Sequence, residues 1–328
     1  MDRQVPEVPP SRPCLEAVMR MKRTLHVEVH PFVDAAEALA GRKVMALGVA
    51  PDNTVWWLAE GDEVLHFADG WDTWERFTLP RGAPDFHCVQ PLPDGEVLLV
   101  NGRCRYRLET GYERNAHVYS PEGTLLRELT LGDGIEDVQT TSDGQVWVSY
   151  FDEGVIGSLT RGGDGSRSPV GAEGLERFDA LGQRQESGVQ MALGLEQRIL
   201  ECYALNVASE RETWFYSYTD FPLVRMRPGE PSTVWSSPVH GARAIAVSDT
   251  HVLFGGCYDD KALLQLYRLY YRGEQRLAPL TRVVLTDETG RAWQPSWLKG
   301  RGPWLHGAEG TRHFRVHMEE LLARAGAT

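Results

Sequence analysis

The chain has 328 residues, of which 42% are hydrophobic and 24% charged, with 33 glycines and 19 prolines. That composition suits a soluble globular domain rich in tight turns and large enough to fold without disulfide or metal staples. A net charge of −12 with no basic stripe argues against nucleic acid and anionic membranes as partners. No run of about 18 apolar residues is available to span a bilayer.

In chain order, residues 1–23 carry Pro6, Pro9, Pro10 and Pro13 among Asp2, Glu7 and Glu16, with no apolar segment. They read as a disordered lead-in rather than an export signal. Five widely spaced cysteines (Cys14, Cys88, Cys104, Cys202, Cys257) form no CxxC pair, so reduced thiols and a cytoplasmic setting are expected. The segment TLHVEVHPF (24–32) alternates Leu25, Val27 and Val29 with His26, Glu28 and His30, the pattern of a half-buried strand.

From Met45 onward one grammar recurs: a short apolar strand, a polar turn often built on Asp-Gly, and a second strand rich in Val, Trp, Leu and Tyr. The copies begin at Met45 (MALGVAPDNTVWWLA), His87 (HCVQPLPDGEVLLV), Glu136 (EDVQTTSDGQVWVSY), Cys202 (CYALNVASERETWFYS), Arg243 (RAIAVSDTHVLFGG) and Gln294 (QPSWLKGRGPWLHG). Successive starts lie about 40 to 65 residues apart, as four-stranded blades with variable loops would place them. Two further strand-like runs follow the hairpin: EVLHFA and WERFTLP in the first copy, AHVYSP and LLRELTL in the second.

The expected fold is therefore all-β, a six-bladed β-propeller over residues 24–318 with a tail at 319–328. The sixth copy supplies only three strands, so 24–32 is expected to pair with HFRVHM (313–318) and close the ring. The glycine-rich stretch 161–174 lacks the strand-to-helix context of a phosphate loop and reads as a flexible insertion in the third blade.

Aligning the copies places Met45, His87, Glu136, Cys202, Arg243 and Gln294 around the channel mouth, with Asp137, Tyr203 and Trp293 beside them. The loops at 150–154, 218–222 and 257–261 add Tyr150, Asp152, Tyr218, Asp220 and Tyr258 to the same face. A concave mouth with aromatic walls and a few convergent polar groups is the default site for a small molecule. His87 and Glu136, from adjacent blades, can hold a divalent metal ion or move a proton, with Arg243 stabilising an anion. In the plainer arrangement Glu136 pairs with Arg243 or accepts backbone hydrogen bonds, and His87 fills the channel wall. Cys202 lies in core-like sequence and reads as a small buried hydrophobe. No GxSxG elbow or HExxH helix occurs. The expected function is a binding protein offering its channel mouth to a small ligand or partner protein; the alternative is a metal-assisted hydrolase or lyase using His87, Glu136 and Arg243.

The blade grammar resembles the six-bladed propellers of the gluconolactonase/regucalcin and NHL-repeat type. That resemblance sets Glu136 where the lactonases carry a metal-binding Asn. Met45 and Arg243 stand where those enzymes have Glu and Asp. The stretch GDGIEDVQTTSDGQVWVSYFDEGVIG (132–157), with CYALNV and YTDFP, also resembles an actinobacterial-type group of propeller proteins along nearly the whole chain after about residue 24. This second resemblance implies a fold and a cytoplasmic setting, and no activity.

Overall fold

The Asp-Gly turn of the second copy forms as its chemistry dictates. Asp94 (φ 61°) and Gly95 (φ 74°) both occupy the left-handed region, which tight hairpin turns require and few other residues tolerate. Around such turns the chain builds six antiparallel blades of four strands, the fifth blade extended by one parallel strand, described in a computed structural model for residues 21, 23–67, 74–80, 82–107, 109–157, 168–189, 198–258, 260–271 and 275–327. Residues 1–20 of the lead-in and 161–167 of the glycine-rich insertion lie outside the described residues.

Blade 1 runs from Val44–Val49 to Glu75–Thr78, blade 2 from Cys88–Pro91 to Leu125–Leu129, and blade 3 from Ile135–Thr140 to Arg184–Gln185. Blade 4 runs from Glu201–Ser209 to Thr233–Trp235, and blade 5 from Ala244–Val247 to Arg276–Thr286. Blade 6 contributes Trp297–Arg301, Trp304–Glu309 and Arg312–His317, and receives Val33–Asp34 as its fourth strand. The chain is a six-bladed β-propeller.

Each blade is buried on both faces, so its strands read as nearly continuous apolar runs. Side chains alternate between the two neighbouring blades. In blade 3, Val146, Val148 and Tyr150 pack toward blade 2, whereas Trp147 between them packs toward blade 4. Six such buried clusters form among the described residues, and they join the blades in sequence around the ring.

Ring closure differs from the expected register. Thr24–Glu28 does not pair with the last strand of blade 6; it runs parallel to the outer strand of blade 5, with Leu25 opposite Val283 and Val27 opposite Leu285. Its inward residues Leu25, Val27 and Val29 join the cluster between blades 5 and 6. The chain then crosses to blade 6, where the Phe32 amide donates to the His313 carbonyl at 2.7 Å and Val33 lies opposite His313. The closing strand is thus 32–34, a few residues later than the alternation suggests. The tail forms a helix, Met318–Ala325, whose Leu321 and Leu322 are buried against the same cluster.

The axis is closed by its own inner strands. A Cβ on Gly48 would lie 1.8 Å from the Val89 carbonyl oxygen, and one on Gly300 would lie 1.7 Å from that of Ile245. Only glycine permits so close an approach of backbones. Gln139 fills the space between: its amide nitrogen donates to the carbonyls of Leu205 (2.9 Å) and Gly300 (3.3 Å), while its oxygen accepts from the Val207 amide (2.9 Å) and Arg301 (3.2 Å). Asn206 likewise bridges Ile245 and Gly302.

Substituting Gly300→Ala forces a methyl group into a backbone carbonyl that cannot swing away. The expected loss exceeds about 3 kcal/mol, read as a fall in the urea midpoint; an unchanged midpoint contradicts the close approach. A second expectation concerns pH. His306 and His313 are buried beside the closing strand, their rings 3.3 Å apart between Nδ1 and Nε2. Burial and then the Arg315 charge push His313 down to about 3, and burial, followed by the neighbouring His313, Arg315 and Arg301, holds His306 well below its ordinary value. The unfolded chain protonates first, near pH of about 6.5. Stability is therefore complete above that value and declines as pH falls toward the folded values, each residue adding a slope of about 1.4 kcal/mol per unit. His313→Gln should flatten the melting temperature against pH through this window; an unaltered slope refutes the assignment.

Candidate functional site

The upper end of the axis is a cup whose floor is the Gln139 network. Its rim is set by where each inner strand begins. In blade 3 the pairing slips between Ile135 and Asp137. The bulge leaves Ile135 in the core between blades 2 and 3, and both carboxylates, Glu136 and Asp137, join the ion pairs of the mouth. In blade 4 a similar slip lies between Cys202 and Ala204. Cys202 is fully buried between blades 3 and 4, as expected of a small hydrophobe. The residue before it, Glu201, reaches the mouth instead.

Arg243, just ahead of the inner strand of blade 5, joins these groups. Its Nη1 lies 3.3 Å from Glu136 Oε1 and 3.2 Å from Glu201 Oε1, and its guanidinium sits 4.2 Å from the Tyr203 ring centroid. The plainer expectation for Glu136, pairing with Arg243, is therefore met. Burial opposes the charge on Arg243, yet the carboxylates of Glu136 and Glu201 outweigh it and hold the pKa above its ordinary value. Burial raises the Glu201 carboxyl against the pull of Arg243, and the charges of Glu136 and Asp152 add to the rise.

Across the cup, Lys299 of blade 6 places its Nζ 3.2 Å from Asp137 Oδ1. The other Asp137 oxygen accepts from Gln139 at 3.1 Å, tying rim to floor. Burial again opposes the Lys299 charge, and Asp137 and Glu136 override it. Cys88 of blade 2 feels the same groups. Burial, then Asp137, pushes its thiol up to about 12.

The aromatic wall comes from blades 4 and 5. The hydroxyls of Tyr203 and Tyr258 share a hydrogen bond, and burial followed by that bond raises the Tyr203 pKa. Tyr218 and Tyr258 are 41% and 47% exposed, with Phe221 packed behind both. This is an open aromatic ledge beside an ion-pair network.

Of the other expected site residues, Tyr150 and Trp293 are buried, and His87, Asp152 and Asp220 are exposed. Tyr150 is fully buried between blades 2 and 3, its hydroxyl donating to the Leu131 carbonyl; its strand position points it at a neighbouring blade, not at solvent. Trp293 is buried under Arg312 and against Phe314. It belongs, with Gln294, to the crossover that precedes the inner strand of blade 6. Asp152 is exposed in the short helix Asp152–Ile156, and Asp220 is exposed in the turn before Phe221. His87 is exposed, and its Nδ1 accepts from the Gly102 amide at 3.5 Å.

A divalent metal ion does not fit this arrangement. The ground beside Glu136 is held by a guanidinium and that beside Asp137 by an ammonium. Among the described residues no group of three or more His, Cys, Asp or Glu side chains is placed to hold a metal. Sequence alignment missed Glu201, Lys299 and Cys88. The signal available for Glu201 was alternation: once Cys202 is core, its neighbour faces the other way.

Comparisons with known proteins add a partial family match. A model described as the YxzG family matches residues 178–315, less than half of the chain. A search among curated proteins finds no match. Similar solved structures include virginiamycin B lyase from Staphylococcus aureus, 13% identical over 86% of this chain and 81% of that one, TM-score 0.45. The PQQ-bound aldose sugar dehydrogenase from Streptomyces coelicolor is 13% identical over 88% and 97%, TM-score 0.48. The RRP9 WD40 repeats are 11% identical over 84% and 94%, TM-score 0.46. At these levels none bears on the chemistry of the mouth.

Raising a thiol from 9.0 to about 12 lowers its thiolate fraction about a thousandfold, and thiolate is the reactive form. Alkylation of Cys88 by iodoacetamide at mildly alkaline pH, followed by peptide mass mapping, should run far below that of free cysteine. A rate like that of the free amino acid contradicts the described surroundings.

Proposed function

We propose that the protein is a binding module whose channel mouth recognises a small ligand or a segment of a partner protein. One observation carries this reading: four polar groups of the mouth are each held in one charge state beside an exposed aromatic ledge. Arg243 and Lys299 stay charged, while Cys88 and Tyr203 stay protonated. Nucleophilic or proton-transfer chemistry asks for groups tuned toward the working pH. Recognition asks for rigid donors, acceptors and aromatic surface, and Tyr218 and Tyr258 supply the last of these.

The second reading, hydrolysis or elimination at the same mouth, rests on the raised Glu201 carboxyl as a proton carrier with Arg243 beside it. Its metal-assisted form, with His87 and Glu136 as ligands, meets no third His, Cys, Asp or Glu placed with them among the described residues.

Ligand-observed NMR against a small library of amines, carboxylates and sugars tests the first reading. Binders are expected for the wild type, weakened about threefold to tenfold by Tyr258→Ala and abolished or retuned by Glu201→Gln. Binders indifferent to both substitutions, or none at all, overturn it. Turnover of a library member that Glu201→Gln abolishes favours the second reading.

A further inference from the structure

On the face of the ring opposite the mouth, a cavity of about 430 Å³ opens between the turn beginning the second strand of blade 5 and the C-terminal helix. Thr250, His251, Arg268, Leu269, Leu322 and Ala327 line it. Its volume falls within the range of about 300–1,000 Å³ usual for small-molecule sites.

One wall is polar and ordered. His251 and Arg268 are directly opposed on adjacent strands. His251 is only 4% exposed; its Nδ1 lies 2.8 Å from the Thr250 hydroxyl, and its Nε2 lies 3.5 Å from Arg268 Nε. Arginine can only donate, so Nε2 accepts and the ring proton resides on Nδ1, facing the hydroxyl. Burial and the adjacent arginine charge keep this imidazole neutral. His251 thus orients the guanidinium and adds no charge of its own.

Some of the arginines pair with a carboxylate, and Arg268 is not among them. Arg42, Arg103, Arg127, Arg184, Arg227, Arg243, Arg291 and Arg324 each pair with a carboxylate. Arg268 pairs with none among the described residues, although the chain carries a net charge of −12. Arg268 lines a cavity whose remaining walls include Leu269 and Leu322.

We propose that this cavity binds a small amphipathic carboxylate, its head forked on Arg268 and its alkyl chain lying along Leu269 and Leu322. The planar guanidinium matches a carboxylate in a bidentate pair, a single positive charge selects a monoanion, and the leucines select an aliphatic tail over a polar one. An organic cation would face Arg268 with no carboxylate among the described residues of the wall.

Octanoate serves as the probe, titrated into the full-length ¹⁵N-labelled protein. Saturable shifts are expected at Leu269, Leu322 and Ala327. Arg268→Gln should weaken binding about tenfold to a hundredfold, the equivalent of one charge-assisted contact. Leu322→Trp, which fills the cavity and leaves the arginine, should abolish it. Octylammonium should give no saturable shift. Absence of saturation with wild-type protein, equal affinity in Arg268→Gln, or equal binding of octylammonium overturns the proposal. Should Arg268→Gln fail to fold, Leu322→Trp and octylammonium still decide it. Tyr258→Ala, at the opposite face, should leave octanoate binding unchanged.

Discussion

An inner strand of a propeller has one edge paired within its blade and the other turned toward the axis. The backbone groups on that bare edge must find partners once water is excluded. Here Gln139 and Asn206 serve as those partners, carrying hydrogen bonds to Leu205, Val207, Ile245, Gly300 and Gly302 from strands that share no sheet. Arg301 completes the set through Gln139 and the Thr140 carbonyl. The same side chains that satisfy the edges also block the channel, which converts a pore into a cup.

That floor governs the mouth above it. Asp137 is shared, one oxygen to Gln139 below and one to Lys299 at the rim. The rim charges are consequently attached to the buried network of the axis. A low-dielectric surround strengthens such pairs and makes an unpaired member costly, so the cup favours fixed charge over titration. The aromatic ledge of Tyr218 and Tyr258 sits at the edge of this network, where side chains are still half open to solvent.

The outer parts of the ring obey a looser constraint. Apolar clusters between blades need only residues of suitable size on alternating sides. The N-terminal strand illustrates this: Thr24–Glu28 finds a place as a fifth strand on blade 5, and residues 32–34 close blade 6. Both positions bury the apolar side of the segment. Hydrophobic pattern alone does not distinguish them, whereas hydrogen bonding at Phe32 and Val33 does.

Turn chemistry and repeat spacing belong to the sequence by itself. Asp94-Gly95 and the turns at Asn53, Gly144 and Gly302 mark hairpins because positive φ angles tolerate few residue types, and six hairpin copies at blade-length intervals point to the architecture. The Glu136–Arg243 pair was legible for the same reason, since both residues sit just ahead of a recognisable inner strand. What tertiary structure alone decided is the facing of individual residues. Bulges at Ile135/Asp137 and Cys202/Ala204 change which neighbours turn inward, bringing Glu201 to the mouth and leaving Cys202 in the core. Tyr150 is buried because the neighbouring blade covers it, and Trp293 because Arg312 and Phe314 of a later strand do. A period of two residues makes every facing sensitive to a one-residue slip, and such slips are set by packing between strands that no local pattern records.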